Sequence, residues 1–297
     1  GLGAGRYGLV QPLVADFANT VLLSSLVSGG CLCVLDPALA ADAAAVAEFV
    51  ARERVDYLKL VPSHLVALAA GGGLQRLLPA RALILGGEAA AVSWARDLVT
   101  AAGECRVANH YGPTETTVGV ASGFLDGDVL AGEVVPLGRA LPNDRLYVVD
   151  GSLRPVPVGV VGELLVGGLG VARGYVGQPD LTGQRFVADP FAGGGARAYR
   201  TGDRVRRRVD GGVEFLGRVD TQLKVRGYRI EAAEVEAVLL RHAGVRAAVV
   251  TADGSDAGRR LVAYLVAPDG LPEPTELRDW ARRFLPEYMV PAVFVEL

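Results

Sequence analysis

The chain has 297 residues, 51% of them hydrophobic and 21% charged, with a formal net charge of −3. Its length suggests about two domains, and its composition is globular rather than disordered or collagen-like. The slight acidic balance lacks the basic excess that a nucleic-acid binder needs. Cys31, Cys33 and Cys105 form no Cys-x-x-Cys, and there are only three histidines. That argues against a disulfide scaffold or zinc site and for a reducing cytoplasm. The apolar stretch from Val21 to Leu35 is broken by Ser24, Ser25, Ser28, Gly29 and Gly30, so it is too short and interrupted to span a bilayer. No signal-peptide pattern opens the chain. It starts at Gly1 and its one methionine is Met289, so it reads as an internal piece of a longer polypeptide. Of 30 basic residues only Lys59 and Lys224 are lysines, which makes each of them informative.

Over residues 1–125, helix-like and strand-like segments alternate. Ala43 to Arg54 has helical apolar spacing, and Asp56 to Val61 reads as a strand stopped by Pro62. Ser63 is a candidate N-cap for a helix running to Ala70, and the small-residue run Ala69 to Gly73 reads as a loop. Arg81 to Leu85 is an apolar run ending in Gly86-Gly87, as a buried strand would; Ala89 to Ala102 returns to helix and Cys105 to His110 to strand. Strands separated by helices predict a largely parallel α/β sheet.

Residues 126–219 are β-rich. Arg145 to Val149, Gly162 to Val166, Ala198 to Arg200 and Gly212 to Leu216 sit between Gly/Pro turns, which predicts a small β subdomain or barrel. Residues 220–297 form a third region of α+β character. It has helices at Glu231 to His242 and Pro274 to Phe284, strands at Arg246 to Thr251 and Arg260 to Val266, and a turn at Asp253-Gly254-Ser255.

Three stretches carry chemistry. Asn109-His110-Tyr111-Gly112-Pro113-Thr114-Glu115-Thr116 follows a strand, so it lies where ligands bind in an open α/β sheet. Gly112 permits close backbone approach and Pro113 stiffens the turn. Thr114 offers a hydroxyl, Tyr111 a stacking face, and Glu115 a hard oxygen suited to Mg²⁺. An ordinary turn with a capping threonine is the plain alternative. In Tyr199-Arg200-Thr201-Gly202-Asp203, the carboxylate after the glycine turn could accept from both hydroxyls of a ribose, or the stretch could be a simple hairpin turn. Gly217 to Glu231, with Arg218, Asp220 and Lys224, lies at a composition change between domains, where fixed charges can exchange partners if the domains move. The Arg204, Arg206, Arg207 and Arg208 run reads as a solvated strand face, and Cys31 and Cys33 as strand filling. His64 and His242 read as helix-lining side chains.

In this order and spacing, the three stretches resemble the adenylation (AMP-binding) domains of nonribosomal peptide synthetases, within the adenylate-forming superfamily. Gly162-Glu163-Leu164, Ala172-Arg173-Gly174-Tyr175, Leu181-Thr182, Arg185-Phe186 and Leu285-Pro286-Glu287-Tyr288-Met289-Val290-Pro291 resemble further family motifs, so the likeness covers essentially the whole chain. It implies an α/β fold: the C-terminal part of the large adenylate-forming N-terminal domain, with a parallel α/β sheet and a small β-barrel subdomain, then a small mobile C-terminal α+β domain. The family's Ser/Thr/Gly-rich phosphate loop is not in this sequence, and the closing lysine motif would lie beyond Leu297. Little exchange activity is expected of these residues alone.

The resemblance also implies a reaction. An amino acid and ATP give an aminoacyl adenylate and pyrophosphate, and a carrier-protein phosphopantetheine thiol then takes the acyl group. Candidate catalytic residues are Thr114, Glu115, Arg218 and Lys224. Asn109, Tyr111, Gly112, Thr114, Asp203 and Arg218 would hold the nucleotide, with Tyr111 stacked on adenine and Asp203 on the ribose. Glu115 would hold Mg²⁺, and Asp220 would be the hinge. The amino-acid pocket would comprise Asp16, Phe17, Thr20, Lys59, Ile84, Gly86, His110, Val118 and Gly119. Asp16 would pair the α-amino group. Lys59 and His110 would face a side-chain carboxylate, with room left by Gly86 and Gly119 and limited by Phe17 and Ile84. L-Aspartate is the expected substrate, with asparagine or a β-substituted aspartate as competitors. Lys59 on an edge strand facing water is the plain alternative. Peptidyl carrier and condensation domains are the expected partners. Other readings are an acyl- or aryl-acid CoA ligase, or a non-catalytic domain that only binds ligand or carrier protein.

Overall fold

The computed structural model describes residues 2–254, 259–268 and 270–297. They form two compact units, Gly1–Val219 and Asp220–Leu297. The first begins with alternating elements: β1 (Arg6–Leu9), α1 (Asn19–Val27), β2 (Cys31–Val34), α2 (Ala43–Arg52), β3 (Tyr57–Leu60), α3 (Pro62–Gly72), β4 (Ala82–Gly86), α4 (Val92–Ala102) and β5 (Arg106–Tyr111). The five strands pair in parallel in the order β2-β1-β3-β4-β5. Every residue of β3 and β4 is buried, which is why they read as short apolar runs.

Period-two alternation divides the two faces. Leu58, Leu60, Leu83 and Leu85 enter the core that also holds Phe49, Leu65, Leu68 and Leu98 of α2, α3 and α4. Tyr7, Leu9, Tyr57 and Ala82 pack on the other face, with Val21 of α1. Lys59 and Ile84, each two residues beyond a member of that second set, therefore also face α1.

The sheet continues in antiparallel fashion through β6 (Ala121–Phe124), β7 (Pro136–Ala140), β8 (Asp144–Val149), β9 (Val161–Gly168), β10 (Phe186–Ala188), β11 (Arg197–Arg207) and β12 (Val213–Arg218), in the order β6-β7-β12-β11-β9-β8, with β10 on β11. A short helix, α5 (Pro179–Arg185), precedes β10. Pairing of Tyr111 with Ala121 and of Ala121 with Ala140 carries the sheet across residue 125 without a break. Among the described residues no helix is long and apolar enough to cross a membrane.

The second unit holds a hairpin of β13 (Gln222–Val225) and β14 (Tyr228–Glu231), then α6 (Ala232–Leu239), β15 (Ala247–Asp253), β16 (Arg260–Val266), α7 (Pro274–Arg282) and β17 (Val293–Glu296). β15 and β16 pair antiparallel, and β16 and β17 parallel. Val235, Leu239, Leu261, Leu265 and Leu277 centre its core.

Two local expectations fail. Ser63 does not cap α3: Val61 occupies the cap position with no side-chain bond, and Pro62 is the first helical residue. Proline fits there because that N–H has no partner inside the helix. Instead the Glu88 carboxylate accepts from the Ser63 N–H at 3.0 Å. The Ala69–Gly73 run is not a loop either, because the helix continues to Gly72 and stops at Gly73 with φ +78°. A side chain on Gly72 would stand 3.2 Å from Ala43 Cβ, so these glycines let α2 and α3 approach. Of the expected turn at Asp253-Gly254-Ser255, Ser255 lies outside the described residues.

Candidate active site

The C-terminal ends of β3, β4 and β5 bring one constellation together. Lys59 is 1% exposed and central in the sheet, between β1 and β4, so the water-facing alternative fails. Its ammonium donates to Thr20 Oγ1 at 2.8 Å and to the Phe17 carbonyl at 3.2 Å, and lies 3.2 Å from His110 Nδ1. It also sits 3.8 Å from the centre of the Phe17 ring, in cation–π contact. Burial pulls the Lys59 pKa down to about 7, with Asp16 opposing the shift.

His110 is held down to about 3, by burial first and by Lys59 second, so it is neutral. An ammonium can only donate, so Nδ1 is the acceptor and the proton sits on Nε2. Ile84 lies beside Lys59 in register, and Gly86 beside His110. Asp16 opens a short turn, Asp16–Ala18, that leads into α1. Seven of the nine expected pocket residues thus converge on one face. Gly119 joins them by lying against the His110 ring. Val118, the ninth, precedes it with φ +69°, next to Thr117 at +65°. Two β-branched residues in the left-handed region mark a strained loop.

The expectation that Gly86 and Gly119 leave room for substrate is corrected. A side chain on Gly119 would overlap the His110 imidazole, and one on Gly86 would meet the His110 carbonyl and stand 3.4 Å from the Phe17 ring. The missing side chains make room for the protein's own His110 and Phe17.

A second cluster lies where β5 ends and β11 and β12 meet. Asp203 is 2% exposed; its carboxylate accepts from the Tyr111 hydroxyl and from the Arg218 guanidinium. Arg218 also donates to the Thr201 carbonyl at 3.0 Å. Burial and then Asp203 hold the Tyr111 phenol far above its usual pKa, so it stays a donor. Tyr111 is itself 8% exposed. Asn109 donates to the Pro136 carbonyl at 2.8 Å and accepts from the His110 N–H, tying β5 to β7. A side chain on Gly112 would strike the Val118–Gly119 backbone, which explains glycine there.

Beyond Gly112, Thr114 is exposed and Glu115 is 8% exposed on a short turn, Thr114–Thr116. No set of three or more metal-ligating side chains occurs among the described residues. A single hard carboxylate still fits Mg²⁺, which keeps waters and takes its other ligands from phosphate oxygens. Asp220 and Lys224 belong to the second unit. There the Asp220 carboxylate accepts from the Gln222 N–H at 3.3 Å, and Lys224 lies opposite Arg229 in the hairpin.

Sequence reasoning missed Gln11. It follows β1, and both polar atoms of its amide are buried without a partner among the described residues. A polar residue just past an apolar strand end was the available signal. It also read Arg206 and Arg208 as a solvated face, whereas both pair with the buried Glu214. The cavity of about 680 Å³ beside α2 holds none of the site residues.

Residues 4–176 match the AMP-binding enzyme family, and residues 234–297 match the AMP-binding enzyme C-terminal domain. A dimodular nonribosomal peptide synthase of Bacillus subtilis is 40% identical over 289 residues, covering 97% of this chain and 12% of that protein. An artificially fused adenylation–PCP di-domain from Klebsiella oxytoca, NpsA-ThdA, superposes with a TM-score of 0.86 at 25% identity, covering 98% of this chain and 57% of that one. The Vibrio cholerae adenylation domain AlmE, solved with glycyl-adenosine-5'-phosphate, gives a TM-score of 0.83 at 26% identity, covering 100% of this chain and 56% of that one. The chain therefore spans a little over half of those solved chains and a small part of the synthase. With the family signature matched over more than half its length, on a fold shared with adenylation domains, the chain belongs to the AMP-binding enzyme family.

Proposed function

We propose that this chain is part of an amino-acid-adenylating domain of a nonribosomal peptide synthetase, and that its substrate is L-aspartate. The carrying observation is the buried Lys59 ammonium at the strand ends, with Thr20, Phe17 and His110 around it and Asp16 nearby. Kinship with adenylation domains supports the reaction class. A carboxylate oxygen of the amino acid attacks the α-phosphorus of ATP and pyrophosphate leaves. The thiol of a carrier-bound phosphopantetheine then attacks the acyl carbon and AMP leaves. Asp16 pairs the α-amino group. Asp203 and Arg218 hold the ribose side of the nucleotide, Tyr111 and Asn109 wall the adenine, and Thr114 meets the α-phosphate. Glu115 holds Mg²⁺, whose charge offsets that of the phosphates. Lys224 and Asp220 act when the C-terminal unit turns between the two steps, and condensation and carrier domains are the partners.

The substrate side chain is argued from charge. Thr20, the Phe17 carbonyl and His110, which contact the Lys59 ammonium, are neutral, and burial holds its pKa near 7 against the opposing pull of Asp16. A substrate carboxylate supplies the missing counter-charge by taking over one of these contacts. Phe17 and Ile84 keep the pocket short, favouring aspartate over glutamate. An acyl- or aryl-acid ligase would have no amine for Asp16. The test is ATP–pyrophosphate exchange by the full polypeptide with aspartate, asparagine, glutamate and leucine, for wild type and Lys59→Leu. Aspartate should lead in the wild type and fall roughly 100- to 1000-fold in the variant. Preference for an apolar amino acid, or an indifferent variant, refutes the assignment.

A further inference from the structure

Behind Glu115, a segment some sixty residues downstream closes onto the turn that carries it. The Tyr175 hydroxyl donates to Glu115 Oε1 at 2.6 Å and lies 3.3 Å from the Tyr199 hydroxyl. Phe186 packs edge-on against Tyr175 and tilted against Tyr199. The backbones are tied as well: the Ala172 N–H donates to the Glu115 carbonyl at 2.8 Å, and the Thr117 hydroxyl to the Gly170 carbonyl at 2.7 Å. A side chain on Gly170 would stand 2.7 Å from the Thr116 carbonyl, so the strap lies directly on the turn. From its other side the strap is held by α5, where Thr182 Oγ1 accepts from the Tyr175 N–H at 2.9 Å. Gly174, with φ +144°, passes so close to Thr182 that a side chain there would collide with it.

We propose that Tyr175 is a positioning residue whose hydroxyl fixes the Glu115 carboxylate for the cation that accompanies the nucleotide, with Thr182 fixing Tyr175 in turn. The proposal rests on the reading of Glu115 given above. A glutamate has three side-chain torsions to immobilise, and a short bond from a held phenol removes much of that freedom before any cation arrives. A phenol on Oε1 also disfavours two-oxygen contact with a cation, and Mg²⁺ takes carboxylates in strict octahedral geometry. The strap thus gives the Ala172–Tyr175 and Leu181–Thr182 motifs a physical task.

The competing view makes Tyr175 ring packing only, and Tyr175→Phe separates the two because it keeps the ring. In the full polypeptide, binding of Mn²⁺ in the presence of ATP is followed by the electron paramagnetic resonance signal of the free ion. Mg²⁺ dependence of exchange is measured alongside. Tyr175→Phe should raise the half-saturating metal concentration roughly 5- to 10-fold, leave the amino-acid KM within about 2-fold, and shift Tm by less than ~3 °C. Thr182→Val should act in the same direction by roughly 2- to 3-fold. Unchanged metal binding in both variants, or a loss matched by equal loss in amino-acid KM and Tm, overturns the proposal. A wild type that binds Mn²⁺–ATP but exchanges no amino acid defeats the functional reading instead, and the Mn²⁺ comparison still decides the role of Tyr175.

Discussion

Lys59 is a lysine whose environment opposes its charge, and that has two measurable consequences. For folding, its pKa falls from 10.5 unfolded to about 7 folded, so between those values the unfolded chain binds more protons. Stability must then rise with pH across that window. Between pH 7 and 9 the wild type should gain on the order of 2 kcal/mol relative to Lys59→Leu, read by urea denaturation. A constant difference would mean that the lysine keeps its charge. For binding, an aspartate carboxylate draws a proton onto Lys59, so the KM for aspartate should climb above about pH 7 while that for asparagine stays flatter. His110, held neutral at about 3, contributes nothing in that range. Gly119 is the complementary test. Gly119→Ala puts a methyl where the imidazole lies, so His110 must swing away and Lys59 loses an acceptor. Aspartate exchange should drop at least about 10-fold with Tm changed far less, and a crystal structure should show His110 displaced. An unmoved His110 would contradict this.

At the scale of elements, β3 and β4 were legible because each is a short apolar run stopped by proline or glycine, whereas β1, Arg6–Leu9, was not read from the sequence. β4 is all buried and ends at Gly86. Lysine scarcity singled out Lys59, whereas its pairing with His110 came from the family resemblance. What the sequence hid were contacts across long separations. Nothing near Glu115 announces Tyr175, because sixty residues and a change of strand direction intervene. Nor does the Ser63 neighbourhood announce that Glu88 accepts from the start of α3. That contact yields an expectation opposite to the one read from sequence. Glu88→Ala should cost ~1 kcal/mol in denaturant unfolding, and Ser63→Ala less than ~0.5 kcal/mol. The reverse order would restore Ser63 as the cap. The glycines at 71 and 72 misled for the same reason: they serve a neighbouring helix, not a turn.

At the scale of the whole molecule, the change of composition near residue 220 coincides with the division between the compact units. In the functional reading, Asp220 is the pivot. Asp220→Pro fixes φ and removes a backbone donor, so it should impair one half-reaction at least about 10-fold more than the other. Exchange measures the first step and carrier loading the second, and equal impairment would remove the hinge role. The continuous sheet across residue 125 has a related meaning. The Lys59 cluster and the Asp203 cluster stand on one hydrogen-bonded sheet, so in the proposed reading the amino-acid and nucleotide sites share that framework.

The central claim is that the buried Lys59 cluster selects a carboxylate side chain. It is tested most directly by offering the full polypeptide, with its phosphopantetheine-loaded carrier, ATP and an equimolar mixture of the twenty standard amino acids, then weighing the loaded carrier by mass spectrometry. The account predicts an aspartyl thioester as the main product in the wild type and its loss in Lys59→Leu. A carrier loaded mainly with an apolar residue, or with aspartate in both proteins, would contradict it.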